Sequence, residues 1–235
     1  MLDSIDLKNI LFLDIETVPM VPVYDELPDH FKKLWDRKSE RIASSENDTP
    51  ETLFGKAGIF AEFGKIVCIS VGCFRENFFR IKSFFDDDEK KLLSGFIDLL
   101  NNHFHKPNYR LCAHNGKEFD FPYIARRILI NELKIPLILD YTGKKPWEVP
   151  HLDTMEMWKF GDYKNFTSLE LLATIFNIPT PKDDIAGSDV AQVYWQDNDL
   201  QRIATYCQKD VLTIAQLVRR FKHLPLLKAE EIKIV

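Results

Sequence analysis

The chain has 235 residues, of which 45% are hydrophobic and 29% charged, and its formal net charge is −5. That length suits one α/β domain, and no run approaches the roughly 18 apolar residues of a membrane helix. The charge is not the basic balance of a tight non-specific nucleic-acid binder. A site that gathers carboxylates to recruit cations also counts as acidic, so charge alone excludes neither class.

In chain order, MLDSIDLKNI puts acids where a secretory leader carries basic residues, and an intracellular, cytoplasmic protein is expected. Residues 10–18, ILFLDIETV, are β-rich and stop at Pro19, a first strand. Residues 21–63 are polar and proline-bearing, with helix-like YDELPDHFKKLWDRKSERI followed by loop-like ASSENDTPET. They lack a strong apolar period and read as an insertion or lid rather than a second domain. KIVCISVGCF is a second strand, and Arg75-Glu76-Asn77 turns it into FFRIKSFF as a hairpin. Asp86-Asp87-Asp88-Glu89 starts the helix KKLLSGFIDLLNNHF, with acids at the positive end of its dipole. His103 and His105 fall near its end as surface residues.

YRLCAHN is a strand running into a loop, and DFPYIARRILINEL a helix with Pro122 in its first turn. HLDTMEMW reads as a short strand, SLELLATIFNI as a helix, and LQRIATYCQKDVLTIAQLVRRF as a long final helix. The alternation predicts an α/β sheet with at least one antiparallel member. Cys68, Cys73, Cys112 and Cys207 lie in apolar runs without Cys-x-x-Cys spacing, the pattern of buried reduced thiols rather than of a zinc site.

Three acidic features stand out. Strand alternation puts Asp14 and Glu16 on one face with Phe12, and Leu11, Leu13 and Ile15 on the other. Their Cα atoms lie about 6.6 Å apart at a rise of about 3.3 Å per residue. Two anions on so apolar a strand repel each other and resist desolvation, unless the strand is an exposed edge or a cation binds both. Asp210 falls in the stripe Ile203, Cys207, Ile214, Leu217 and Phe221, with Tyr206 one turn earlier on the same face. A salt bridge or a metal would satisfy it. Asp120, two residues before Pro122, is placed either to cap a helix or to join the other acids.

Taken in order, FLDIET, HNGKEFD and YCQKD resemble the three motifs of the DEDD exonuclease superfamily, and the tyrosine of the third resembles its DEDDy branch. The chain is similar to the proofreading exonuclease domain of family B DNA polymerases, in stand-alone form, from about Ile10 to Phe221; residues 21–63 match no motif. The resemblance implies a ribonuclease-H-like fold: a mixed central sheet of about five strands, one antiparallel, flanked by helices. Residues 1–235 would then be a single 3′→5′ exonuclease domain with the insertion at about 21–63.

It further implies that Asp14, Glu16, Asp120 and Asp210 hold two divalent cations, Mg²⁺ or Mn²⁺ as suits oxygen donors. Two ions about 3.5–4 Å apart would share the scissile phosphate. Tyr206 would orient the attacking water, its phenol being a poor base at neutral pH. Thr17, Asn115 and Phe119 would neighbour the terminal nucleotide. Arg126, Arg127, Lys144, Lys145 and Trp147 could track a single strand by charge and stacking. Asp153 and Lys182-Asp183-Asp184 resemble auxiliary positions of related enzymes but are not expected to be ligands.

The expected activity is hydrolysis of single-stranded DNA ends to nucleoside 5′-monophosphates, without a membrane. An RNA-trimming enzyme with the same site and a catalytically silent nucleic-acid-binding module are the alternatives. The sequence carries no polymerase motifs, so proofreading would require a separate polymerase or repair partner.

Overall fold

The structure is a computed structural model describing residues 2–162, 164, 166–179 and 185–235. Its strands are β1 (Ile10–Pro19), β2 (Gly64–Arg75), β3 (Phe78–Phe85), β4 (Arg110–Ala113), β5 (Leu152–Asp153) and β6 (Ile232–Ile234). Its α-helices are α1 (Asp29–Ile42), α2 (Pro50–Leu53), α3 (Glu89–His103), α4 (Asp120–Ile130), α5 (Thr154–Lys159), α6 (Leu169–Ile175), α7 (Val190–Gln192) and α8 (Leu200–Phe221).

The six strands form one sheet in the order β5-β4-β1-β2-β3-β6. β1 runs parallel to β4, β4 to β5 and β3 to β6, whereas β2 is antiparallel to both neighbours. This is the ribonuclease-H-like arrangement, with one reversed strand as expected and a sixth strand that is not. β6 is a three-residue edge strand, too short for a period to show. The strand carrying Asp14 and Glu16 lies in the interior of the sheet, so the exposed-edge alternative is excluded.

Each face of the sheet follows from side-chain alternation. Leu11, Leu13 and Ile15 pack with Leu93, Phe96, Ile124 and Ile128 beneath α3 and α4. Ile10 and Phe12 pack on Val211, Ile214, Ala215 and Val218 of α8. The β1–β2 register slips between Glu16 and Thr17, which pair with Cys68 and Ile66 and leave Val67 as the extra residue of a bulge. Val67 and Cys68 therefore turn to the same face, where both join the cluster under α8.

The 21–63 segment has more of a core than its sequence suggests. Trp35, fully buried, donates its Nε1–H to Pro50 O at 2.8 Å and meets the rings of Phe54 and Phe63 at 5.5 and 5.2 Å. Backbone bonds tie the segment to the sheet at Met20 N–Phe63 O (2.9 Å), and the Tyr123 hydroxyl donates to Gly58 O at 2.7 Å. A Cβ at Gly58 would lie 3.0 Å from the Val18 carbonyl carbon, so a larger residue here would press on the β1 backbone.

HLDTMEMW is mostly not a strand. Only Leu152 and Asp153 pair with β4, and Asp153 then caps α5 by accepting from Met155 N at 2.9 Å and Glu156 N at 3.3 Å. Lys182-Asp183-Asp184 lies outside the described residues. No helix among the described residues is long and apolar enough to cross a membrane.

Candidate active site

Beyond Phe12, the α8-facing side of β1 continues with Asp14 and then Glu16, and α8 lays Cys207 against them. The Cys207 thiol donates to the Asp14 backbone oxygen at 3.4 Å and to its carboxylate at 3.5 Å. Glu16 is only 7% exposed. Tyr206, next to Cys207 in the same helix, lies close to Asp210 one turn on, whose carboxylate helps raise its phenol pKa.

Asp120 enters from the opposite side of the strand end. It is the first residue of α4, not its cap; Phe119 holds the cap position without a side-chain bond. The Asp120 carboxylate is buried, and the nearby backbone N–H groups of Asp120 itself and of Ile15 on β1 act to lower its pKa. The capping alternative therefore gives way: the helix start delivers this carboxylate to β1.

The acids act on one another through their charges. Burial pushes the Asp14 carboxyl well above its ordinary range, and the anions of Glu16, Asp210 and Asp120 push it further. Glu16 is raised by burial, then by Asp210, the Cys68 thiol and Asp120. Asp120 is raised to about 8 by burial, with Asp153 and Asp210 adding to it and the two backbone N–H groups opposing. The Tyr206 phenol is pushed up by burial and then by Asp210, Glu16 and Asp14. Four carboxylates from β1, α4 and α8 thus act on one another, those of Glu16 and Asp120 buried and those of Asp14 and Asp210 half-buried. Such a set calls for positive charge. The donor atoms of Asp14, Glu16 and Cys207 lie within 4.8 Å of one another, close enough to hold a metal ion.

The residues expected beside a substrate border this region. Thr17 follows the bulge, and its hydroxyl meets that of Tyr123. Asn115 has a left-handed backbone (φ 61°), and Phe119 lies 5.3 Å from the Tyr123 ring. The loop holding both is fixed by Asp153, which accepts from Asn115 N and Lys117 N, each at 3.0 Å. With α5 included, Asp153 serves four backbone N–H groups, a structural role its spacing in the sequence does not reveal.

Arg127 does not face solvent. It is buried against Glu89, with Nε–Oε1 at 2.9 Å, and donates to Ala61 O at 2.8 Å, which removes it from any strand-tracking surface. Arg126, Lys144, Lys145 and Trp147 are exposed. The Lys145 ammonium sits 5.2 Å from the Trp147 ring centroid. Trp147 lines a cavity of about 660 Å³ with Arg110, Lys117 and Asp153, which contains none of the four carboxylates. His103 and His105 are exposed, and all four cysteines are free, three of them buried.

Comparison with known proteins places this geometry. A family described as "Predicted 3'-5' exonuclease related to the exonuclease domain of PolB" matches residues 59–228, well over half of the chain. The chain belongs to this PolB-related exonuclease family. The family match spans Asp120, Tyr206 and Asp210 and begins after Asp14 and Glu16. Relatives include DNA polymerases of Pyrococcus glycovorans and Thermococcus sp. strain 9oN-7. Each is 23% identical over 146 residues, covering 57% of this chain and 18% of the polymerase. The family B DNA polymerase of Pyrobaculum calidifontis superposes with a TM-score of 0.54 at 18% identity, over 91% of this chain and 24% of that one. This PolB-related chain thus spans about a fifth of the curated relatives it matches.

Proposed function

We propose that this chain is a metal-dependent 3′→5′ exonuclease of the cytoplasm that trims single-stranded ends, DNA in preference to RNA, to nucleoside 5′-monophosphates. The observation carrying this reading is the mutual approach of Asp14, Glu16, Asp120 and Asp210, with Glu16 and Asp120 buried and with Asp14, Glu16 and Asp120 each held protonation-prone by burial and by its acidic neighbours. Membership of the PolB-related family supports it, and the DNA preference follows from the relatives being DNA polymerases.

The four carboxylates fit Mg²⁺ or Mn²⁺, since an oxygen-rich, dense negative set suits hard divalent cations. Two such ions, when bound, supply charge balance, water activation and polarisation of the scissile phosphate. The Tyr206 phenol, raised far from neutrality, stays protonated; its proton serves Asp210, and its oxygen lone pairs are left to orient the attacking water. Thr17, Asn115 and Phe119 hold the terminal nucleotide. The insertion of 21–63, rooted beside Thr17 through Gly58 and Tyr123, acts as a lid on one exonuclease domain. A proofreading role would draw on a separate polymerase or repair partner.

The test is 5′-labelled single-stranded DNA and RNA incubated with Mg²⁺, Mn²⁺ or chelator. A 3′-shortening ladder on DNA, dependent on metal and lost in Asp14→Ala, is expected. A ladder on RNA alone selects the RNA-trimming alternative, and binding without cleavage a silent module. A ladder undiminished in Asp14→Ala overturns the assignment.

A further inference from the structure

A second cavity, of about 470 Å³, opens where the ends of α5, α6 and α8 meet. It contains none of the four carboxylates and lies about three turns beyond Asp210 on α8, roughly 16 Å at 1.5 Å per residue. Three rings form a packed wall: Trp158 meets Phe176 edge-on at 5.7 Å and stacks on Phe221 at 6.3 Å, and Phe176 meets Phe221 at 5.5 Å. These rings pack on Leu172 and Leu217, and core packing accounts for them.

Two further features of the cavity serve no core. Phe160 ends α5 with a left-handed backbone (φ 44°, ψ 35°), the conformation that helix ends normally give to glycine or asparagine. A bulky residue is strained there, and no burial of the ring offsets this, since Phe160 is 83% exposed. The second feature is Arg220. Its Nε is buried without a hydrogen-bond partner, and no ion pair among the described residues includes it. A desolvated guanidinium nitrogen left unpaired costs free energy until an acceptor reaches it. The carboxylate lining the cavity, Glu156, is engaged by Lys117 at 2.7 Å.

Composition selects the class of ligand. Aromatic residues, methionine and arginine are enriched at protein–protein interfaces, and Met157, Trp158, Phe160 and Arg220 all line this cavity. A single strand of nucleic acid is instead tracked by a groove of positive charge. Here a single arginine shares the lining with a glutamate.

We propose that this cavity docks a segment of a partner protein that carries a large apolar side chain beside an Asp or Glu. The apolar group enters among the rings, and the carboxylate pairs with Arg220. The proposal does not rest on the nuclease function.

The probes are fluorescein-labelled, end-blocked peptides with Phe, Trp, Leu or Ile at the centre and Asp and Glu on both sides. Counterparts with Lys on both sides, and labelled oligothymidylate, are the controls. In anisotropy titrations of the full chain, acidic peptides should bind with a Kd below about 1 mM and the lysine peptides should not. Arg220→Met keeps the aliphatic stem and removes the charge, whereas Phe160→Asn removes the ring and suits the left-handed backbone. Each should weaken acidic-peptide binding about 10-fold or more without lowering the melting temperature. Should Arg220→Met not fold, Phe160→Asn alone decides. No acidic peptide bound at about 1 mM, equal binding of the lysine peptides, or binding unchanged in either variant overturns the proposal. Oligothymidylate binding that is lost in both variants also overturns it, in favour of nucleic acid.

Discussion

Asp120→Asn should make the metal-free protein more stable and less responsive to added metal. In the fold Asp120 is 3% exposed and its carboxyl is raised from 3.8 to about 8. Between those values the folded state binds the proton that the unfolded chain has released, so stability falls as pH rises through the window and the penalty is complete above about 8. At about 1.4 kcal/mol per pH unit, the full shift sets an upper limit on the order of 6 kcal/mol. Water entry and relaxation around the buried acids reduce this, and about 2 kcal/mol is expected. For a chain of this length that is roughly 4–8 °C in melting temperature. Asparagine keeps an oxygen near the Ile15 N–H and carries no charge. Melting in chelator from pH 5 to pH 9 should therefore show wild type falling more steeply than Asp120→Asn, with the variant higher at pH 9. Added Mn²⁺ should stabilise wild type strongly and the variant weakly. A variant less stable than wild type at every pH in chelator would refute the reasoning, because the carboxylate would then be satisfied by the two nearby N–H groups alone.

Tyr206→Phe should lower kcat on the order of 100-fold with little change in KM or in metal-induced stabilisation, measured in steady-state assays; a change confined to KM would remove its orienting role. Arg127→Met strands Glu89 in the interior and should cost about 3–5 kcal/mol, roughly 6–20 °C of melting temperature, by thermal scan. Adding Glu89→Leu should restore only part of this, since Ile66 N–H and Ala61 O keep no replacement partner. Asp153→Ala should cost about 3 kcal/mol and speed amide exchange at Asn115 and Lys117, which exchange mass spectrometry resolves; exchange left at the wild-type rate would show that other groups hold the loop.

The residues that sequence reading located best were those whose local rule was violated. Asp14 and Glu16 broke the apolar run of β1, and Asp210 broke the stripe of α8; both anomalies resolve into the same group of interacting acids. Asp120 was ambiguous because an Asp before a helix has a local use, and only the approach of α4 to the Ile15 amide decides against it. Arg127 was misplaced for a related reason. Its neighbour Arg126 is exposed, and the helix rotation that buries Arg127 matters only because Glu89, 38 residues away, waits there. The aromatic cluster around Trp35 escaped notice because Phe54, Phe60 and Phe63 reach it from separate short elements, which leaves no period to detect. In HLDTMEMW the local β pattern lost to the capping carboxylate of Asp153.

The bulge at Val67 and Cys68 puts the two ends of β2 out of phase. Past it, Ile69 and Val71 face the core under α3; before it, Ile66 does so too, while Lys65 reaches the Tyr194 hydroxyl at 3.0 Å. Straightening the bulge with no residue lost would pair Thr17 with Val67 and invert residues 64–66, driving the ammonium of Lys65 into hydrocarbon and Ile66 out beside Tyr194, whereas deleting residue 67 would leave them on their present faces. The bulge, which absorbs one residue, therefore decides which side chains at the start of β2 reach the core, and the fold depends on where that irregularity sits as well as on the composition of the strand.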